Sequence, residues 1–180
     1  FIGPNTELNG LPIVPFESVE RYFSPIEHEM FIAVGDNEVR EEKFHQATEK
    51  GFSLLSCISP KADTWSDLKW GQNVFLSSEC AVQPFVSIAD NTILIGAKIG
   101  HHSTIGKNNL LSGCSLAGNV KTGNNCFLGL NAAIKQGVSI GNNNIIGMGC
   151  AIVNDTSDHE VYRNHSTVKS VVPATRLKKK

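Results

Sequence analysis

The sequence predicts a mainly β protein: a parallel β-solenoid of triangular section preceded by a small, N-terminally incomplete α/β domain. Three observations carry this. From Ile58 onward an aliphatic residue, often followed by a small one, recurs every six positions, and so short and sustained a repeat marks a solenoid. Residues 1–56 break that rule and alternate short apolar runs with a helical pattern, as α/β segments do. The chain of 180 residues is long enough to bury a real core. The expected organisation is an α/β domain over 1–56, a β-helix over 57–153, and a cap or tail over 154–180.

Along the first segment, Asn9-Gly10 reads as a turn before the extended Leu11–Pro15, and Phe16–Phe23 as a short helix. Met30–Val34 is a continuous apolar run bounded by Gly35, the pattern of a buried parallel strand. Residues 38–50 read as a helix. Asp36 or Asn37 caps its start, Glu38, Glu41 and Glu42 suit the positive end of its dipole, and Lys50-Gly51 stops it. Phe52–Leu55 reads as the strand that leads out. Because the chain opens at Phe1, within what reads as the middle of a domain, it is expected to be part of something longer.

The inward position of each hexad falls at Ile58, Thr64, Trp70, Leu76, Val82, Ile88 and Leu94. After a one-residue slip it falls at Ile99, Ile105, Leu111 and Ala117, and after another at Thr122, Leu128, Ile134, Ile140, Ile146 and Ile152. The fifth position is small and also inward, as at Ala62, Cys80, Ser103, Ser115, Cys126 and Cys150. Corners fall on glycines and asparagines such as Gly106, Asn108, Gly123, Asn125, Gly141 and Asn143, which suit left-handed backbone. Beyond Asn154 the repeat lapses, and Val161-Tyr162 with Val171-Val172-Pro173 is expected to close the last coil.

Composition narrows function. A formal net charge of −1 without basic clusters is not the footprint of a nucleic-acid binder. No apolar run approaches the roughly 20 residues that span a bilayer, and the start does not resemble a signal peptide, so a cytoplasmic location is expected. The five cysteines form no CxxC pair, in keeping with a reducing compartment. Cys80, Cys126 and Cys150 read as compact core side chains, while Cys114 falls one place out of step.

The one place in the ladder with adjacent imidazoles is Ile99-Gly100-His101-His102-Ser103. These are the third and fourth residues of their hexad and so lie at a corner, outside the core. An imidazole there is a natural general base near neutral pH.

Three stretches in order, Phe31-Ile32-Ala33-Val34-Gly35-Asp36-Asn37-Glu38-Val39-Arg40, then Ile99–His102, then Leu116-Ala117-Gly118-Asn119-Val120-Lys121-Thr122-Gly123 through Gly129, resemble bacterial nucleotide-sugar acetyltransferases of the hexapeptide-repeat family. That group includes the bacillosamine-pathway and sialic-acid O-acetyltransferase types, and the resemblance covers nearly the whole chain. It implies a left-handed β-helix, acetyl-CoA as co-substrate, no metal, and a cytoplasmic homotrimer serving polysaccharide biosynthesis. In such a trimer the sites lie between subunits and a Rossmann-like domain holds the nucleotide-sugar. It also implies roles. His101 would be the base that deprotonates the sugar amine or hydroxyl, and the Gly118 N–H would hold the thioester oxygen. Leu130, Gly147 and Met148, with Gly118, would line the cofactor groove; Gly35, Asp36, Asn37, Arg40 and His102 would face the nucleotide-sugar.

Two departures stand out. The family commonly has a carboxylate after the base and a second histidine nine residues beyond it, where this chain has His102 and Leu110. The family also begins with a strand and glycine-rich turn, and this chain starts after them. No serine or cysteine beside a base suggests an acyl-enzyme, so direct transfer is expected. The alternatives from other classes are a γ-type carbonic anhydrase-like zinc enzyme, for which adjacent histidines are poor ligands, and a non-catalytic trimeric scaffold.

Overall fold

A computed structural model describes residues 7–173 and 176. From Cys57 the chain winds as a parallel β-helix whose two- and three-residue rungs stack into three sheets. The first face, of seven rungs, runs from Cys57–Ile58 through Phe75–Leu76, Leu110–Ser112 and Phe127–Leu128 to Val161–Tyr162. The second, of six, includes Ala81–Val82, Lys98–Ile99, Ser115–Leu116 and Ala133–Ile134. The third, of five, includes Ser87–Ile88, Thr104–Ile105 and Lys121–Thr122. Each rung points its second residue inward, so Leu76, Leu94, Ile105, Leu111, Leu128 and Ile146 are fully buried. Each buried side chain of this size contributes about 1.5–3 kcal/mol.

The register corrects the sequence reading in one coil. Ile99 pairs with Leu116, and Leu116 with Ile134, so the slip precedes Leu116 and Ala117 points outward. The same shift makes Cys114 the small inward residue, 1% exposed, in place of the exposed Ser115. Desolvation pushes the Cys114 thiol up to about 12 and raises that of Cys126, so both remain neutral packing groups near pH 7. Thr64 and Trp70 hold their predicted register but lie in the first coil and are exposed.

Two kinds of residue turn the corners between the third and first faces. Asn73, Asn91, Asn108, Asn125 and Asn143 have φ between 53° and 58°, the left-handed region that asparagine tolerates. The carboxamides of the first four hydrogen-bond in series at 2.7, 2.7 and 2.9 Å. The glycines just before them answer a different need. Gly123 has ordinary φ, but a Cβ there would sit 2.7 Å from Asn142 N in the next coil, so close stacking, not backbone hand, demands glycine.

The segment before the helix folds against this asparagine ladder. A hairpin, Glu7–Leu8 against Leu11–Pro12, turns on Asn9 and Gly10, and a 3-10 helix follows over Phe16–Arg21. Helix α1 spans Asn37–Glu49, capped by Asp36, whose side chain accepts from Val39 N at 3.0 Å. The predicted strand Met30–Val34 is shorter in fact: Glu29–Met30 pairs with Ser53–Leu54, and the ladder stops there. The reason is local. Ile32 donates its N–H to Asn73 Oδ1 (2.7 Å) and accepts from Asn73 Nδ2, so a side chain of the β-helix takes the groups a strand neighbour would use.

The tail also differs from expectation. Val161–Tyr162 pairs with Ile145–Ile146 as one more rung of the first face, and Tyr162 packs on the core. Val171 and Val172 are 98% and 45% exposed and cover nothing.

Candidate active site

His101 and His102 form the corner between the second and third faces, after the rung Lys98–Ile99. The preceding coil fixes this corner. His101 N donates to Gln83 Oε1 and His102 N to Pro84 O, both at 3.0 Å, and Asn119 N in the next coil donates to His101 O at 2.7 Å. His102 has φ 59° and Phe85, one coil earlier, φ 62°; their rings lie against each other, tilted by 38°, with centroids 4.7 Å apart. The two imidazoles are perpendicular, and their Nδ1 atoms lie 3.0 Å apart.

Gly118 supplies the other half of this corner. A Cβ on it would sit 2.6 Å from His101 Nε2 and Cε1, so the Nε2 end of the His101 ring lies against a residue that must have no side chain. Among the described residues no acceptor meets the Gly118 N–H, although Gly118 is buried. Buried N–H groups are nearly always paired. An open one beside a bare imidazole is a donor held ready for an oxygen. Gly100 keeps the approach to that donor clear, since a Cβ there would sit 2.5 Å from Gly118 N. The surrounding groove, about 460 Å³, has small outward residues, among them Ala81 and Ala117, with Lys98 as its cation. Replacing Gly118 by alanine is expected to push the His101 ring aside and lower turnover about 100-fold with an unchanged circular dichroism spectrum. Full turnover in that variant would contradict the placement.

The remaining predicted residues occupy other corners. Leu130, Gly147 and Met148 lie between the first and second faces, where Leu130 and Met148 are 53% and 67% exposed. They flank the same second face as the histidine corner, at its opposite edge. Gly35, Asp36 and Asn37 line a cavity of about 470 Å³ with Glu38, Asn125 and Asn143, at the corner between the third and first faces. Asn37 is tied there: its side chain donates to Cys126 O at 3.1 Å, and its carbonyl accepts from Asn108 Nδ2 at 2.8 Å.

Arg40 is a correction. It is fully buried and faces no cavity. Its Nε donates to Asn91 O, its Nη1 to Val34 O and Gly35 O, and its Nη2 to Asn37 Oδ1, Asn108 O and Asn109 O, at 2.8–3.3 Å. Burial pulls its guanidinium down to about 10, still a cation at neutral pH. Arg40 therefore holds the Gly35–Asn37 loop to the β-helix, and its donors have none left for a ligand. Gln83 and Phe85 are corner residues that the sequence reading passed over, and Gly100 stood in the histidine motif without a role. The signal was available, since Gln83 and Phe85 stand one coil, 18 and 17 positions, before His101 and His102. Among the described residues no cluster of three or more His, Cys, Asp or Glu side chains could hold a metal, and no helix is long and apolar enough to cross a membrane.

Residues 119–153 match the family model described as the hexapeptide repeat of succinyl-transferase. Among solved structures the chain superposes on PerB from Caulobacter crescentus in complex with CoA and GDP-perosamine, with TM-score 0.79 and 30% identity over 87% of this chain and 77% of that one. It also superposes on the acetyltransferase domain of PglB from Neisseria gonorrhoeae in complex with acetyl coenzyme A, with TM-score 0.80 and 25% identity over 86% and 77%. A histidine-to-alanine variant of the Caulobacter enzyme, GDP-perosamine N-acetyltransferase in complex with CoA and GDP-perosamine, matches at 29% identity over 79% and 68%, with TM-score 0.74. The fold is that of a left-handed β-helix acyltransferase. Within that class the chain belongs to the hexapeptide-repeat family of sugar acetyltransferases.

Proposed function

We propose that the protein transfers the acetyl group of acetyl-CoA to the amine of a nucleotide-linked sugar, directly and without an acyl-enzyme. The observation that carries this reading is the juxtaposition of an exposed imidazole with an unengaged, buried N–H: His101 Nε2 lies beside Gly118. His101 Nε2 takes the proton as the amine nitrogen bonds to the thioester carbonyl carbon. The carbonyl oxygen gathers charge opposite the Gly118 N–H. Collapse of the tetrahedral adduct breaks the C–S bond, and the CoA thiolate leaves as the thiol after taking up a proton. The relatives support the choice of substrates, since the Neisseria domain holds acetyl-CoA and the Caulobacter enzyme holds CoA with GDP-perosamine.

The proposed assembly is a homotrimer. Its support is the distribution of parts over three corners of one prism, with the cavity at Asp36 on a different corner from His101. One chain cannot bring a sugar seated at Asp36 to its own His101, whereas a neighbour's corner can meet it. Leu130, Gly147 and Met148 would then border the cofactor, Gly35, Asp36 and Asn37 the nucleotide-sugar, and the α/β segment 1–56 would serve as the nucleotide-sugar domain beside the β-helix. A cytoplasmic role in polysaccharide assembly follows from such substrates.

The test is thiol release from acetyl-CoA against UDP-, GDP- and dTDP-linked amino sugars, with the matching hydroxy sugars as controls. Release with one amino sugar and none with its hydroxy analogue is expected. Release with the hydroxy sugar alone would make the protein an O-acetyltransferase, and release with none would remove the transferase reading.

A further inference from the structure

We propose that His102 is a positioning residue: its Nδ1 accepts a hydrogen bond from His101 Nδ1 and so fixes the His101 tautomer whose Nε2 is bare. The inference rests on the reading of His101 as the base, and names what orients it.

The geometry leaves two arrangements. The Nδ1 atoms lie 3.0 Å apart with the rings perpendicular, so one nitrogen must carry the shared hydrogen and the other a lone pair. If His102 donated, His101 would carry its own hydrogen on Nε2 and could take no proton from a substrate. If His101 donates, its Nε2 lone pair is free. Once Nε2 has taken a proton, His101 can only donate at Nδ1, to the same acceptor and now as a charged donor, which strengthens the bond. The working state and the protonated state therefore use one arrangement.

A second observation shows that His102 is held for this contact. It sits in left-handed backbone, φ 59°, where the next coil has Asn119 at φ 60°. Phe85 shares that backbone hand one coil earlier, so the corner itself sets the direction in which the His102 side chain leaves the chain. The ring of Phe85 lies against that of His102, tilted by 38°, and limits how the imidazole can turn. Among the described residues no carboxylate bonds to either imidazole. The charged groups around the pair are Lys98, in the groove with His101, and Asp67 and Lys69, which border the cavity beside Phe85; Asp67 Oδ2 accepts from Phe85 N.

An acceptor that can itself protonate has a consequence that a carboxylate would not. A proton on His102 Nδ1 would remove the acceptor, so the working arrangement requires a lone pair at that nitrogen as well as at His101 Nε2.

The experiment uses the full chain. Long-range nitrogen–proton spectra of protein labelled with ¹⁵N-histidine should show His101 protonated at Nδ1 and His102 at Nε2. His102→Gly, which suits the left-handed backbone and has no side-chain acceptor, should bind acetyl-CoA unchanged yet lose about 10- to 100-fold in kcat. His102→Glu, which restores an acceptor, should recover most of that loss. A His101 protonated at Nε2, or a His102→Gly variant with parental kcat, would overturn the proposal. Failure of the parent protein to acetylate any acceptor overturns the base assignment instead, while the spectra still decide which nitrogen donates.

Discussion

Replacing His101 by alanine is expected to lower turnover by about 10²- to 10⁴-fold while acetyl-CoA affinity stays within about twofold of the parent. The reason is geometric. His101 Nε2 stands over the Cα of Gly118, and its other nitrogen is bonded to His102, so the imidazole is set to receive a proton at one atom only. Alanine leaves an open corner in which water takes its place, without the orientation that makes a base effective. The groove floor is backbone and small side chains, none of which the substitution removes. Thiol-release kinetics give kcat, and calorimetry with acetyl-CoA gives the affinity. Parental kcat in the variant would remove His101 from the mechanism.

Replacing Arg40 by methionine is expected to cost about 3–5 kcal/mol of stability, the range for breaking a buried charged network. Methionine has similar reach and no donors. It would remove a donor from five backbone carbonyls and Asn37 Oδ1 in the interior; Asn109 O keeps the N–H of Ile93, and the others become unmet acceptors of the kind that is costly to bury. Arg40→Lys should recover little, because a compact ammonium cannot span acceptors that a planar fork reaches together. Urea denaturation gives the stability, and protease cleavage near Gly35 reports release of the loop. A parental denaturation midpoint would contradict the role assigned to Arg40.

The rungs were legible because inward aliphatics obey a period that nothing but a solenoid explains. The register failed only where two candidate inward residues, Leu116 and Ala117, stood side by side, and Cys114 was out of step for the same reason. The pairing of Ile99 with Leu116 decides both. The histidine corner was legible as a corner. Its inner geometry was not, since contacts to Gln83 and Phe85 cross coils and a motif read along the chain does not show its neighbour across the prism. Arg40 misled for a further reason. It was placed at the nucleotide-sugar by resemblance alone, and a match along the chain does not show that backbone carbonyls of coils more than fifty residues on engage its donors.

The clasp at Arg40 and the asparagine ladder make the loop at Asp36 continuous with the coil that carries Asn108, one corner past His101. Hydrogen bonds tie that path at each step, and they hold the cavity on its own corner of the prism. In the proposed trimer, association must bring cavity and base together, and activity becomes a matter of concentration. Dilution below the trimer's dissociation range would switch off a chain whose every local contact is intact.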